Sequence, residues 1–155
     1  MKPYNNIVGI FILALLVSAC ATGPLKLPEK YSLDGQLEQV TEIYKYKLID
    51  WDRVDQQSLL LRAGPGDYYL LVLKTPSTEL MFTNSIRLST TSSMVRAGMD
   101  DVILYGPGRI KYHYTIERIY KIKGRQQMLA IKKQLTEGAE EGHHKNQKDK
   151  NGISI

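Results

Sequence analysis

The sequence predicts a mainly β (α+β) domain, formed by a small antiparallel or barrel-like sheet of about five to seven strands with a C-terminal amphipathic helix. Three observations support this fold class. Apolar and polar residues alternate with period two in short segments between residues 40 and 122. Two Gly-Pro-Gly sequences separate such segments, as hairpin connections do. After Lys123-Gly124 the period changes to that of a helix.

The chain begins with the features of a secretory signal peptide over residues 1–19. Lys2 is its one charged residue, and residues 7–17 are an uninterrupted apolar run of eleven. As a helix this run would rise about 16 Å, about half of the ~30 Å hydrocarbon core, so it is too short to span a bilayer. Two small residues, Ser18 and Ala19, precede the expected cleavage between Ala19 and Cys20.

Cys20 is the single cysteine of the chain and stands in the order Val17-Ser18-Ala19-Cys20. This order resembles the lipobox of bacterial lipoproteins. The resemblance implies a diacylglycerol on Cys20 and an acyl chain such as palmitate on the new amino terminus, with no other cofactor. Each buried methylene contributes about 0.8 kcal/mol, so several chains together form a stable anchor. The alternative is ordinary cleavage after Ala19, which leaves a free thiol.

Ala21 stands where an aspartate would retain a lipoprotein at the inner membrane. The resemblance therefore implies the periplasmic face of the outer membrane, with the inner membrane as the alternative. Cleavage would leave 20 basic and 16 acidic residues, a net charge of +4, over 136 residues. This mild excess of positive charge does not predict nucleic acid as a partner. It favours anionic lipid headgroups or acidic envelope polymers.

Three regions are expected after the signal peptide. Residues 20–39 are predicted to be the lipidated N-terminus and a tether, because two prolines exclude helix interiors and central strands. Residues 40–136 are predicted to form the β-rich domain. Residues 137–155 are rich in Gly, Glu, His, Lys, Asn and Asp without periodicity, which is typical of a disordered polar tail.

Period-two alternation and short apolar runs predict the strands in order. They cover residues 43–48, 58–62, 68–73, 86–88, 101–105 and 110–116. The second and third are apolar on both faces, which predicts central strands covered on both sides. A short helix or turn is predicted around residues 78–81. Met128, Ile131 and Leu135, spaced i, i+3 and i+7, predict the C-terminal helix.

Ten tyrosines against two phenylalanines are unusual in composition. Tyr44 and Tyr46, and likewise Tyr112 and Tyr114, are spaced to line one face of a sheet. An exposed tyrosine face could stack on sugar rings, which would make the protein a glycan- or peptidoglycan-binding module. Aromatic cross-strand packing in an ordinary sheet core explains the same pattern.

The signals for metal binding and catalysis are weak. His143 and His144 could bind a transition metal weakly, whereas His113 is predicted to be an exposed strand histidine. Three aspartates in residues 50–55 lack the glycine and glutamate of a calcium loop and are predicted to lie in a polar turn. No nucleophile motif is present, and neither Gly-Pro-Gly sequence opens a helix as a phosphate loop would. We therefore expect no catalytic residues and no enzyme.

The residues that carry a family resemblance lie between Ile49 and Ile122. They are Trp51 with Val54-Asp55, Tyr69-Leu70-Leu71, Pro76-Ser77-Thr78-Glu79-Leu80, Ile86-Arg87-Leu88, Asp101-Val102 and Ile116-Glu117-Arg118-Ile119. In these motifs the sequence resembles a family of small Gram-negative envelope lipoproteins of unknown function. The resemblance implies a fold and an envelope location, and no activity. It also implies a cysteine pair at two positions that are Ser77 and Tyr114 here.

These observations predict a lipid-anchored envelope lipoprotein that faces the periplasm and has a structural or interaction role without catalysis. Its expected partners are the membrane, through the anchor, and an envelope protein or peptidoglycan. The glycan-binding module and a weak metal-binding lipoprotein are the alternatives.

Overall fold

The computed structural model describes residues 26–44, 47–90 and 93–150, with side chains as far as Glu137. The strands in these residues are β1 (Glu38–Val40), β2 (Glu42–Ile43), β3 (Asp50–Arg53), β4 (Ser58–Gly64), β5 (Asp67–Leu73), β6 (Ile86–Leu88), β7 (Val95–Arg96), β8 (Asp101–Tyr105) and β9 (Lys111–Lys123). The helices are α1 (Glu79–Phe82) and α2 (Gly124–Lys150), and 3-10 turns cover Glu29–Tyr31 and Pro107–Arg109.

The main sheet is antiparallel and curls into a half-barrel. Its strand order is β3-β4-β5-β9-β8-β6, and β1 pairs with the part of β9 that β8 leaves open. β2 and β7 form a separate two-stranded ladder. The prediction of a mainly β domain with a C-terminal helix is confirmed.

β9 is the longest strand and joins the two halves of the sheet. Its first part pairs with β8, and its second part pairs with β5 from Ile116 to Lys123. The register shifts where Val72 pairs with Arg118 but Leu73 pairs with Ile116. A bulge of this kind reverses which side chains face which side of the sheet. Ile116 and Ile119, on either side of the shift, therefore both face one core, while Tyr120 and Ile122 face a second.

Two clusters of buried apolar residues lie on opposite faces of the sheet. The first core lies on one face and contains Ile43, Leu59, Leu61, Leu71, Leu73, Leu80, Leu88, Val95, Val102, Leu104, Ile116 and Ile119. The second core lies on the other face, which we call the outer face, and contains Tyr31, Leu33, Leu37, Val54, Leu60, Leu70, Val72, Tyr120, Ile122, Ile131 and Leu135. β4 and β5 contribute to both, so their prediction as strands covered on both sides is confirmed.

The Gly-Pro-Gly sequences form the connections of two hairpins, as predicted. Between β4 and β5, Gly66 has a φ of +81°, which glycine adopts without steric cost. Between β8 and β9, a Cβ on Gly106 would lie 2.5 Å from Cε2 of Tyr112. A larger residue at this position would therefore displace the tyrosine ring.

The N-terminal segment belongs to the fold over a stretch where the sequence predicted a tether. Tyr31, Leu33 and Leu37 are buried in the second core, and β1 pairs with β9. A 3-10 turn followed by a bend gives no regular hydrophobic period, which is why the pattern did not reveal this packing. Leu27 also packs against the second core, so packing includes described residues upstream of residue 40.

Three further segments differ from the sequence predictions. Of the described residues in the strand predicted over 43–48, Ile43 alone lies in a strand, β2. Residues 45 and 46 lie outside the described residues. Residues 50–55 are not one polar turn, because Asp50–Arg53 is the edge strand β3 and the turn begins at Val54. The backbone of α2 continues to Lys150, across residues for which composition predicted a disordered tail.

The two ends of the sheet can be told apart by the strand pairing. At one end β3 and β5 finish and β4 begins, so Arg53, Ser58 and Leu73 lie there. We call this the Asp55 end, after the turn that it contains. The opposite end carries the β4–β5 turn and the start of α2, because Asp67 pairs with Lys123.

Candidate functional site

A buried carboxylate, Asp55, lies at the centre of a hydrogen-bond network at the Asp55 end. Its side chain accepts hydrogen bonds from the Tyr31 hydroxyl at 2.8 and 2.9 Å, from the Ser58 hydroxyl at 2.8 Å and from the Gln57 amide at 2.8 Å. Lys30 Nζ lies 2.7 Å from Asp55 Oδ2. The bond to the amide two residues on is an Asx turn, which starts β4.

The contacts of Tyr31 and Asp55 are consistent with a structural role of this network. Burial, followed by the nearby charge of Asp55 and the hydrogen bond to it, holds the pKa of the Tyr31 hydroxyl far above its ordinary value of 10.0. The hydroxyl therefore stays protonated and donates to Asp55 throughout the neutral range. All acceptor positions of Asp55 are directed at groups of the fold, so this carboxylate ties the N-terminal segment to the β3–β4 turn.

An open groove of about 320 Å³ lies between the outer face of the sheet and the first turns of α2. It is lined by Asp50, Trp51, Asp52, Leu60, Leu61, Arg62, Tyr68, Arg125 and Met128. We call it the arginine groove. Cross-strand pairing aligns Asp50, Arg62 and Tyr68 in one row, because Arg62 pairs with both of the others.

The charges of the arginine groove are only partly compensated. Asp52 pairs with Lys132 of α2. The guanidinium of Arg62 lies 5.9 Å from the ring centre of Tyr68, while its buried Nε has no hydrogen-bond partner within the described residues. A buried donor without a partner costs about 1–3 kcal/mol. Carboxylate or phosphate oxygens match a guanidinium best.

A second open groove, of about 550 Å³, lies beside β1. It is lined by Glu38, Gln39, Val40, Thr41, Glu42, Tyr44, Tyr69 and Lys121, and we call it the tyrosine groove. The Tyr44 side chain is 66% exposed and donates to Glu42. Burial raises the pKa of Tyr69, with smaller effects of Asp67 and Glu38. Two phenol rings beside carboxylates, amides and an ammonium group can bind a polar ring compound.

The tyrosines that were predicted to line one face of a sheet do not all lie at the same place in the structure. Tyr112 and Tyr114 are half-buried and pack against the first core, while Tyr44 lines the tyrosine groove with Tyr69. Tyr46 lies outside the described residues. The sequence missed Tyr69, because its strand is apolar on both faces and no alternation distinguishes the tyrosine from the core residues.

Ser77 and Tyr114 meet at one carboxylate. The Ser77 hydroxyl donates to Glu79 Oε2 at 3.1 Å, and the Tyr114 hydroxyl donates to the same oxygen at 2.6 Å. The hydrogen bond from Tyr114 is the main reason why the pKa of Glu79 is lowered. These are the two positions at which the family resemblance implies a cysteine pair, and here a polar contact through Glu79 joins them.

The candidate metal ligands are not brought together in the described residues. No group of three His, Cys, Asp or Glu side chains there could hold a metal ion. Within residues 50–55, Asp50 and Asp52 line the arginine groove while Asp55 is held by Tyr31. His113 is exposed and lies 3.3 Å from Asp101, as expected for a strand histidine. The side chains of His143 and His144, and the residues Ala19 and Cys20, lie outside the description.

Fold and grooves define the class of protein: a mainly β half-barrel with a C-terminal helix and polar surface grooves. Among the described helices none is long and apolar enough to cross a membrane. The chain belongs to the family of unknown function DUF6491, whose model matches residues 4–138. The match is wider than the resemblance between Ile49 and Ile122 and extends into the N-terminal apolar run. No curated protein and no solved structure matches the chain.

Proposed function

We propose that this protein is a lipoprotein anchored through Cys20 to the periplasmic face of the outer membrane, and that its domain is a non-catalytic interaction module. The observation that carries the proposal is the order Val17-Ser18-Ala19-Cys20 after eleven apolar residues, six positions before the described domain begins at Lys26. A signal peptide that is followed directly by a cysteine supplies both export and a point of lipid attachment.

Two further observations support an anchored module. The family model begins at residue 4, so the apolar run belongs to the family and not to this chain alone. The domain packs two apolar cores without a disulfide, since Cys20 has no second cysteine to pair with. Cys20 is thereby available for acylation.

The grooves support an interaction role. The arginine groove presents Arg62 and Arg125 beside aromatic rings, which suits a carboxylate or phosphate group of an envelope partner. Asp55, the buried carboxylate of the described residues with the most hydrogen bonds, is engaged by the fold and is not directed at a groove. This arrangement favours binding over acid–base catalysis.

Replacing the acylated residue tests the proposal. In the Cys20→Ser variant of the full-length precursor, we expect loss of palmitate labelling and release from the membrane fraction. Ser18→Ala is the matched control, because it keeps a small residue before the cleavage site and should stay labelled and membrane-bound. A wild-type chain without label, or a Cys20→Ser variant that keeps its lipid, would contradict the proposal.

The tyrosine groove favours a second candidate function, the binding of envelope glycans. Tyr44 and Tyr69 would stack on sugar rings while Glu38, Gln39 and Lys121 accept or donate hydrogen bonds. Calorimetric titration of the protein with a chitin tetrasaccharide measures this directly. We expect Tyr44→Ala to weaken binding severalfold and Tyr105→Ala, outside this groove, to leave it unchanged. Equal affinities in all three proteins, or no binding by the wild type, would exclude the groove as a glycan site.

A further inference from the structure

Phe82 has the most exposed large apolar side chain of the described residues, at 83%. It stands at the end of α1 and lines an open groove of about 550 Å³ with Tyr105, Gly106 and Pro107 of the β8–β9 connection. Ile110 of the same connection is 55% exposed, and its carbonyl accepts a hydrogen bond from the Gly106 amide at 2.9 Å. We call Phe82, Tyr105, Pro107 and Ile110 the Phe82 surface.

The Phe82 surface lies beyond the Asp55 end of the sheet. Arg53, the last residue of β3, donates to the carbonyl of Met81 in α1. The Ser77 amide donates to the Gln56 carbonyl at 2.6 Å, which holds the start of α1 against the β3–β4 turn. β8 and the first part of β9 then continue past this end, because Ile116 pairs with the last residue of β5.

The described chain begins at the same end. Lys30 reaches Asp55 at 2.7 Å, and Tyr31 donates to the same carboxylate, so Lys26 and Leu27 lie within a few residues of the β3–β4 turn. The chain then runs toward the opposite end, where Gln127 of α2 reaches the carbonyl of Gln36. A membrane anchor upstream of Lys26 therefore acts on the Asp55 end.

The length of chain between anchor and domain is short. Six residue steps separate Cys20 from Lys26, which limits their Cα atoms to about 21 Å when fully extended. A lipid on Cys20 keeps Lys26 within this distance of the headgroups, and Lys30, which contacts Asp55, follows four residues later, so contact between the Phe82 surface and the bilayer is effectively intramolecular. A state in which an apolar side chain is inserted into the bilayer is then populated even when its insertion is only weakly favourable.

Exposed cations flank the apolar part of the Phe82 surface. Arg109 and Lys111 stand on either side of Ile110, and Lys26 and Lys74 are exposed at the same end, together with the exposed or half-exposed acids Glu29, Glu79 and Asp101. Lys74 is placed there by the hydrogen bond of its amide to the Thr115 carbonyl. Cations beside an exposed aromatic ring match a surface of anionic headgroups over acyl chains.

We propose that the Phe82 surface is a membrane-docking surface, which inserts Phe82 into the headgroup region of the bilayer that holds the lipid of Cys20. The inference rests on the proposed function, since the anchor brings this end to the membrane. Docking fixes the orientation of the domain: the Asp55 end faces the lipid, and the arginine groove, at the side of the sheet, stays open to the periplasm.

Tryptophan substitution and lipid quenching test the orientation. The full-length lipidated protein is reconstituted into vesicles of phosphatidylethanolamine and phosphatidylglycerol, with or without bromine on the acyl chains. A ring that inserts about 5–10 Å comes within reach of the bromines, and we expect about a twofold loss of the added emission of Phe82→Trp. Leu129→Trp is the matched control, because Leu129 is equally apolar, 53% exposed and on the second turn of α2, which starts at the opposite end. Trp51, the one native tryptophan, contributes the same background emission in both variants.

The possible results separate this inference from the proposed function. Quenching of Phe82→Trp with an unquenched Leu129→Trp supports docking, and Ile110→Trp should then be quenched as well. Emission of Phe82→Trp that shifts to the blue without quenching means that protein, from a second copy or a partner, covers the ring, and overturns the inference. Equal quenching at both positions also overturns it. Phe82→Ser should stay in the vesicle fraction; loss of the wild type from the vesicles would overturn the proposed function and the inference together.

Discussion

The two cores of this domain are equally well buried but are closed in different ways. The first core is enclosed by strands of the main sheet, by the separate β2–β7 ladder and by α1. The second core is covered by the N-terminal segment and α2, which, apart from β1, are held by side-chain contacts such as Tyr31 with Asp55 and Tyr120 with the Tyr31 carbonyl. The second core is therefore covered by the two ends of the described chain, the N-terminal segment and α2. The first core is covered by the strands and the short helix between those ends.

The largest effect is expected from cavities made on either side of one strand. Leu70 and Leu71 are neighbours in β5, are both fully buried, and face the second and the first core respectively. Leu→Ala costs 2.7–5.0 kcal/mol in one well-studied series, depending on how far the site collapses. We expect about 4–5 kcal/mol for Leu71→Ala, whose walls are hydrogen-bonded strands, and about 3 kcal/mol for Leu70→Ala, whose cover can shift.

Urea unfolding followed by circular dichroism measures both free energies. The two variants are matched controls for each other, because residue type, strand and burial are the same. Equal costs, or a larger cost for Leu70→Ala, would show that the second core is as rigid as the first.

The next effect concerns the polar contacts that close the second core. Asp55→Asn replaces an acceptor oxygen by a donor opposite Tyr31, Ser58 and Lys30, and we expect a loss of about 2–3 kcal/mol in the free energy of unfolding. Asp52→Asn removes the exposed pair with Lys132 and should cost at most about 0.5 kcal/mol. If the Tyr31 amide stays as protected from hydrogen exchange in Asp55→Asn as in the wild type, Asp55 does not hold the N-terminal segment in place.

The smallest effect appears only at alkaline pH. Because the folded-state pKa of Tyr31 lies far above 10.0, the folded protein keeps a proton that the unfolded chain loses. The stabilising contribution is therefore complete below pH 10 and is lost as the pH rises above it. We expect the free energy of unfolding to fall less steeply above pH 10 in Tyr31→Phe than in the wild type. Parallel pH profiles would show that Tyr31 ionises equally easily in both states.

How much of the fold the sequence predicts depends on the length of each periodic segment. β4, β5, β8 and the apolar face of α2 are predicted correctly, because burial on a fixed face repeats over several residues. The second half of β9 is missed, since the bulge near Arg118 changes the alternation. β1, β2 and β7, with two or three residues each, do not alternate apolar and polar residues clearly enough to be recognised.

The candidate sites are predicted less completely than the fold. The sequence marks Tyr44, Tyr112 and Tyr114, but strand pairing sends the last two toward the first core and brings Tyr69 to Tyr44 instead. Asp55 could have been found by its residue type in a turn, because an aspartate there often accepts a hydrogen bond from the backbone amide two residues on. Its contact with Tyr31, 24 residues away, has no local signal.

The sequence by itself determined the features that depend on neighbouring residues: the apolar run before Cys20, the two glycine–proline turns, the alternation of the central strands and the helical spacing of Ile131 and Leu135. The tertiary structure alone decided which distant segments meet. It placed the N-terminal segment on the outer face, joined Ser77 and Tyr114 through Glu79, and set Phe82 at the end where the described chain begins. The physical reason is that local conformation follows from short-range sterics and periodic burial, whereas these contacts depend on strand order and on one register shift in β9.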